Sequence, residues 1–334
     1  MAEPGRVGWA ILGCGRVAER RVAPVIAAAQ DARLAAVCSR SRSHAEHFAE
    51  RHAAEKAHDS VDALLADENV DIVYIATPHA LHAEQAVRCL SAGKHVLVEK
   101  PMATDAAGAR AMSDAARAHN RLLGVMLQQR FHAANMHLIR LIDEGQLGRL
   151  NMIRIHVGMW LPPDDNWRVS PDLSGGGAAM DLGPHVVDLM IELAGKVRRV
   201  TAHTNNLRFK TPVEDFCSAR LEFESGAVGL LDVGYCFHDY GGRLEAYGSE
   251  ATYFANGSMQ AAGLYQTWFR RGDVQGAMHE DTSNNCYAAT VEDFTDAVLH
   301  NGEPSVGAEE GIRTARVIDA MYESARSGRT VELD

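Results

Sequence analysis

The sequence predicts an α/β fold for its first third and an α+β fold for the rest, and three observations carry this. Apolar runs of the buried-strand type alternate with helical segments from Val7 to Met126, an order that implies right-handed crossovers and a parallel sheet. The first of these runs leads directly into a glycine turn and then a helix. Beyond about Met136 the pattern changes to short runs with period-two alternation, as expected of a mainly antiparallel sheet with one wet face. The expected domains are residues 1–127 and 128–334. The length of 334 residues suits two domains at about 150 residues each.

The opening run, Val7-Gly8-Trp9-Ala10-Ile11-Leu12, reads as a strand buried on both faces. Gly13-Cys14-Gly15-Arg16-Val17-Ala18 then forms a G-x-G-x-x-A turn. Gly13 would permit the tight turn, Gly15 would let the backbone approach a pyrophosphate, and Ala18 would let the helix pack on the strand. The pyrophosphate would sit at the helix N-terminus, where unpaired N–H groups favour negative charge. Strand, turn and helix together point to dinucleotide binding, with an ordinary glycine turn as the alternative. The helix should run from Arg16 to Gln30, kinked at Pro24.

Further along come a strand at Leu34 to Cys38, a helix at Ser43 to Ala54 and a turn at Lys56 to Ser60. Asp71 to Ala76 is a buried strand, and Ala80 to Ala92 is a helix closed by Gly93. Lys94 to Val98 is the next strand, Asp105 to His119 a helix and Arg121 to Met126 a last strand. Ligands of such sheets lie beyond the carboxyl ends of the strands. Those ends are Gly13, Cys38-Ser39-Arg40, Thr77-Pro78-His79, Glu99-Lys100-Pro101 and Leu127-Gln128-Gln129.

In the second part, Met136 to Gly145 is an amphipathic helix. Strand-like runs follow at Leu150 to Val157, Arg199 to Thr204, Cys217 to Phe223, Ala227 to Gly234, Arg243 to Tyr247 and Thr252 to Phe254. Glu224-Ser225-Gly226 marks a hairpin. Helices return at Tyr287 to Leu299 and Glu309 to Ser327.

The net charge of −11 argues against a nucleic-acid or membrane-surface partner. The six cysteines show no C-x-x-C spacing, which favours reduced thiols over a disulfide framework. Met1 to Arg6 carries no basic segment followed by an apolar one, and no run is long enough to span a bilayer. A cytoplasmic protein is expected.

Two constellations could carry chemistry. Lys100 follows a buried strand at the ligand edge, where it could donate to a substrate oxygen, or simply point to water. Pro101 biases it towards an extended conformation. The second runs from Gly175-Gly176-Gly177 through Asp181-Leu182-Gly183-Pro184-His185 to Asp188. Asp181 and His185 would share a face if one helix includes both. The carboxylate would then orient an imidazole suited to proton transfer near neutral pH. The plainer reading makes Asp181 a cap and His185 a core histidine. Asp181, His185 and Asp188 could be imagined as metal ligands, but no spacing elsewhere resembles a metal site, and none is expected. The end of the second strand carries Ser39 and Arg40, with Arg42 beyond, where NAD-binding folds place an acid. A guanidinium fork suits a 2′-phosphate, so NADP(H) is expected to be preferred, with NAD(H) as the alternative if the arginines only solvate the turn.

These motifs, with Ala76-Thr77-Pro78 and His82, resemble the glucose–fructose oxidoreductase, inositol dehydrogenase and rhizopine catabolism (Gfo/Idh/MocA) family over nearly the whole chain. The resemblance implies an N-terminal Rossmann domain and a C-terminal domain with an open, mainly antiparallel sheet. It makes Lys100, Asp181 and His185 the catalytic set, with His185 the general acid/base. It implies cofactor contacts from Gly13, Cys14, Gly15, Arg16, Val17, Ser39, Arg40, Thr77, Pro78, His79, His82, Glu99, Lys100 and Gln128. It implies hydride transfer to or from a small neutral sugar, keto-sugar or polyol, in a homodimer or homotetramer formed through the C-terminal sheet. The segment with Trp160, Trp167 and Arg168 is similar to the 1,5-anhydro-D-fructose reductase branch and places those three residues near the substrate, or merely on a loop packed against the sheet. Two other classes stay open at this level. One is a glycoside hydrolase with a retained nicotinamide; the other is a non-catalytic NADP(H)-binding regulator.

Overall fold

The computed structural model describes residues 5–164, 166–238, 241–260, 264–272, 274–275, 279–281 and 285–334. The chain divides into two compact units, residues 1–126 with 287–312 and residues 127–286 with 313–334. It therefore crosses between units three times, not once as a single cut after residue 127 would have it.

In the first unit β1 (Val7–Leu12), β2 (Ala32–Cys38), β3 (Lys56–His58), β4 (Ile72–Ile75), β5 (His95–Glu99) and β6 (Leu123–Met126) form one sheet in the order β3-β2-β1-β4-β5-β6. Every pair in it is parallel. This is the doubly wound order, which reverses direction between β1 and β4. The central strands are buried along their length, which explains their unbroken apolar runs. Helices α1 (Ala23–Ala28), α2 (Arg42–His52), α3 (Val61–Leu65), α4 (His82–Ser91) and α5 (Ala106–Ala118) connect them.

Two local expectations change here. The helix expected from Arg16 to Gln30 is a π-helical turn at Ala18–Val22 followed by α1, with Pro24 in the first turn of α1. Proline has no N–H to give the preceding turn, so the helix restarts there instead of bending. The expected turn at Lys56 to Ser60 contains the edge strand β3, paired with Ala36 to Cys38. Its polar residues Lys56 and His58 suit an edge and hid it in the sequence.

The second unit opens with α6 (Ala133–Asp143) and β7 (Leu150–Gly158). The short helices α7 (Pro171–Ser174) and α8 (Ala178–Asp181) lead to α9 (Gly183–Ala194). Strands β8 (Val197–Asn205), β9 (Phe216–Phe223), β10 (Val228–Gly234), β11 (Arg243–Gly248), β12 (Thr252–Asn256), β13 (Tyr265–Arg271), β14 (Val274–Gln275) and β15 (His279–Asp281) follow. Then come α10 (Cys286–Leu299), α11 (Ala308–Ser327) and β16 (Val331–Glu332). The sheet order is β14-β13-β12-β11-β7-β10-β9-β8-β16, with β15 beside β13. Among the described residues only β7 and β10 pair in parallel in this sheet. The β9–β10 hairpin turns at Glu224 to Gly226, with Gly226 at φ 85°. Buried positions alternate along the strands, and the inward ones share an apolar core with α6, α8, α9 and α11.

Helix α10 packs into the first unit. Trp9, fully buried on β1, donates its indole N–H to Thr295 Oγ1 at 3.2 Å and meets Phe294 edge-on. A Cβ at Gly124 would lie 2.7 Å from the Phe294 ring, so glycine on β6 makes room for that side chain. No helix among the described residues is long and apolar enough to cross a membrane.

Candidate active site

The glycine turn sits at the carboxyl edge of the first sheet. Gly13 has φ 104°, its N–H donates to the Cys38 carbonyl, and a Cβ there would lie 2.7 Å from the Ala76 carbonyl oxygen. Only glycine satisfies both demands. Gly15 differs: an added Cβ would meet no protein atom closer than 4.0 Å. Space is left over Gly15, at the point where a pyrophosphate would approach. The helix begins at Arg16, with the Glu19 N–H bonded to the Gly15 carbonyl. Val17 is half-buried and Arg16 exposed. Cys14 points inward to the Cys38 carbonyl, and burial, with a smaller contribution from the Cys38 charge, pushes its thiol up to about 12. Its backbone carbonyl contacts His44 Nε2 at 2.9 Å.

At the end of β2, the Ser39 hydroxyl accepts the Ser41 N–H, and Ser41 caps α2. Arg42 is engaged with Glu46 one turn on. Arg40 is exposed and makes no hydrogen bond or ion pair among the described residues. Of the two arginines it is the one with its donors available to a phosphate.

At the ends of β4 and β5 the predicted residues divide by role. The Thr77 hydroxyl is committed to Gln85 at 2.6 Å. His79, just after Pro78, is buried in a single 3₁₀ turn. His82 is fully buried, with Nδ1 2.8 Å from the Pro101 carbonyl and Nε2 2.9 Å from the Thr77 carbonyl. Burial lowers its pKa against the two carbonyls that raise it. The ring thus clamps two strand-end loops together, with both nitrogens occupied by protein. Glu99 is buried, accepting the Tyr74 hydroxyl on one oxygen and the Lys100 N–H on the other. Lys100 is half-buried, and its peptide bond to Pro101 is cis.

The second unit holds the other constellation. Gly177 lies against the Glu214 backbone, where a Cβ would be 1.9 Å from the carbonyl oxygen. The Glu214 carboxylate accepts the N–H groups of Gly177 and Ala179 and the hydroxyl of Tyr322. Burial raises its pKa, opposed by those donors. Helix α8 starts from this clamp and ends at Asp181. Leu182 interrupts the chain between α8 and α9 while keeping helical dihedrals. Asp181 and His185 therefore sit on successive helices, not on the single helix considered from spacing.

Asp181 is buried. Its Oδ2 accepts the Tyr235 hydroxyl at 2.8 Å and faces Arg168 Nε at 3.4 Å. Burial, and then the Asp181 charge, drive the Tyr235 phenol well above its ordinary value, so it stays a donor. The Arg168 guanidinium lies over the Trp167 ring, 4.6 Å from its centroid. Trp160 pairs with Cys236 beyond the ends of β7 and β10 and stacks on His238 at 4.0 Å. Tyr235 and Arg130 were absent from the sequence reading. Tyr235 stands just past a strand end, the one signal that could have found it. Asp188, once a conceivable metal ligand, is gripped by Arg130. Gln128 is buried with its side-chain oxygen unpartnered, an acceptor site left for a ligand.

Within the first unit, a doubly wound sheet with an open glycine turn, and an exposed arginine just past its second strand that makes no ion pair among the described residues, fits a nicotinamide dinucleotide, and a protein so built is an NAD(P)-dependent oxidoreductase. The family profile described as an oxidoreductase family NAD-binding Rossmann fold matches residues 7–127, and that of its C-terminal alpha/beta domain matches residues 139–333. The chain belongs to the Gfo/Idh/MocA oxidoreductase family. It is 32% identical to D-xylose 1-dehydrogenase (NADP(+)) 2 of Haloferax volcanii, over 98% of this chain and 99% of that one. It is 27% identical to 1,5-anhydro-D-fructose reductase of Ensifer adhaerens, over 98% of each. Among solved structures, the aldose-aldose oxidoreductase of Caulobacter crescentus complexed with glycerol superposes with a TM-score of 0.90 at 30% identity, covering 98% of this chain and 100% of that one. The chain is an NAD(P)-dependent oxidoreductase of the class that acts on sugars and polyols.

Proposed function

We propose that the chain transfers hydride between NADP(H) and a secondary alcohol or ketone of a sugar, keto-sugar or polyol, with Lys100, Asp181 and His185 as the catalytic set. The observation that carries this is the buried Asp181 carboxylate, held by Tyr235 and Arg168 four residues before a half-buried histidine. When bound, the nicotinamide supplies or accepts the hydride. The protein handles the proton and the charge. As a carbonyl is reduced, negative charge grows on its oxygen; His185 donates a proton to it and Lys100 stabilises it. Asp181 keeps the imidazole oriented and raises its proton affinity. In the oxidative direction His185 takes the proton back.

Ser39 and the unpaired Arg40 support NADP(H) over NAD(H). The names of the Haloferax and Caulobacter relatives support an aldose among the candidate substrates. Trp160, Trp167 and Arg168 are assigned to substrate contact. The outward face of the second sheet carries Met152, Leu230, Phe254 and Trp268, which supports a homodimer or homotetramer formed there. The six free cysteines support a cytoplasmic location.

The test is turnover of a panel of aldoses, keto-sugars and polyols by Lys100→Ala and His185→Ala, with NADPH binding followed by tryptophan quenching. Turnover falls by about two to four orders of magnitude while binding persists, the range for loss of a proton-transferring group. Wild-type turnover in both variants would sink the assignment.

A further inference from the structure

One largely buried ion cluster of the second unit lies outside the catalytic set. Arg130 lies in the single 3₁₀ turn at Gln128–Phe131, and its side chain is only 12% exposed. Its Nε donates to Asp188 Oδ2 at 2.8 Å and its Nη2 to Asp188 Oδ1 at 2.7 Å, a bidentate fork. Its remaining nitrogen, Nη1, lies 2.7 Å from Glu192 Oε2. Both acids are on α9. His185, Asp188 and Glu192 are spaced i, i+3 and i+7, so they form one stripe along that helix. Two members of the stripe are pinned by one arginine, and the third is the proposed proton donor. The arginine comes two residues after Gln128, whose orphaned oxygen awaits a ligand.

We propose that Arg130 is a positioning residue: by gripping Asp188 and Glu192 it sets the rotation of α9 and so the aim of His185, and its positive charge offsets two carboxylates that would otherwise favour the imidazolium. This rests on the reading of His185 as the acid/base group. The cluster carries one net negative charge with Arg130 present and two without it.

The elements packed against α9 include α8, β7, β10, α6 and the turn that carries Arg130. Asp181 comes from α8 and is already held by Tyr235 and Arg168. The inward positions of β7 and β10, among them Ile153, Ile155 and Leu231, are apolar. Helix α11 meets the start of α9 with Ile318, 3.0 Å from where a Gly183 Cβ would be. Helix α6 brings His137, whose ring lies edge-on to Tyr253. The positive end of α9 itself disfavours the imidazolium and is common to every variant.

The experiment titrates His185 in the full chain by NMR of histidine labelled at Cε1, with the resonance assigned by its loss in His185→Gln. Arg130→Gln moves the midpoint up by about half to one pH unit, the size expected of one charge about two helical turns or less away. Glu192→Gln removes a half-exposed acid and moves it down. Arg130→Lys keeps the charge but loses the fork; its midpoint stays while kcat falls about tenfold from misorientation. Should Arg130→Gln not fold, Glu192→Gln and Arg130→Lys decide the matter. Midpoints that stay put in folded Arg130→Gln and Glu192→Gln overturn the proposal. Midpoints that move as stated, with a pH–rate profile that does not follow them, uphold the role of Arg130 and reject His185 as the acid/base group.

Discussion

Tyr235→Phe removes one oxygen and tests the electrostatics of the candidate site. The lost hydroxyl donates to Asp181 Oδ2 at 2.8 Å in a buried setting. A hydrogen bond to a charged group contributes about 1.5–3 kcal/mol. Arg168 at 3.4 Å is too long to replace it with good geometry. Phenylalanine keeps the ring volume, so no cavity forms. Asp181 is left buried with a weaker claim on its charge, and under the proposed mechanism its support of His185 weakens with it. If that hold matters in the transition state, kcat/KM falls by about 10- to 100-fold, the same free energy expressed as a rate. The assay is a double-mutant cycle on kcat/KM with Asp181→Asn, NADPH binding being measured in parallel to show the folded cofactor site intact. The coupling between the two positions should be about 1.5–3 kcal/mol. A Tyr235→Phe enzyme within twofold of wild type, or a coupling below about 0.5 kcal/mol, would refute the view that Tyr235 holds Asp181 for catalysis.

Three further outcomes are expected. Burial lowers the pKa of His132, at the start of α6, to about 4. The unfolded chain then binds the extra proton first, so stability is full above about pH 6.5 and falls as pH drops towards 4, by up to about 3 kcal/mol; chemical denaturation across that range should show a flatter profile in His132→Asn, which keeps a capping acceptor and does not titrate. Arg40→Ala should weaken NADPH binding about tenfold or more and leave NADH binding nearly unchanged, as read by tryptophan quenching; equal losses for both would assign Arg40 to the turn and not to the 2′-phosphate. Gly15→Ala and Gly177→Ala should separate fold from site, because the first meets open space and the second the Glu214 backbone at 1.9 Å. Thermal melts should show Gly15→Ala near wild type with cofactor affinity lost, and Gly177→Ala destabilised by about 1–3 kcal/mol from overpacking.

Why some of this was legible in the sequence and some was not follows from the range of the forces involved. The strands of the first sheet announce themselves because both their faces are buried, so Ile72 to Ile75 has no alternative to an apolar run. The glycine turn is legible because Gly13 answers to a local steric demand, a positive φ beside the Ala76 carbonyl. Asp181 and His185 stood out as polar residues inside an apolar helical stretch. Strand β13 did not, although Tyr265, Thr267 and Phe269 alternate inward; threonine in an inward position and flanking polar residues blur the period. The return of α10 to the first unit could not be read either, since nothing near Phe294 in sequence says that Trp9 and Gly124 are shaped to receive it. Arg130 is the sharpest case. In sequence it is one arginine among many, 58 positions from Asp188. Its meaning lies in a fork that forms only when the turn after β6 and the helix carrying His185 are folded together. Residues that act on substrate are tied to motifs and can be found one at a time, whereas residues that aim them are defined by pairs and emerge only from the fold.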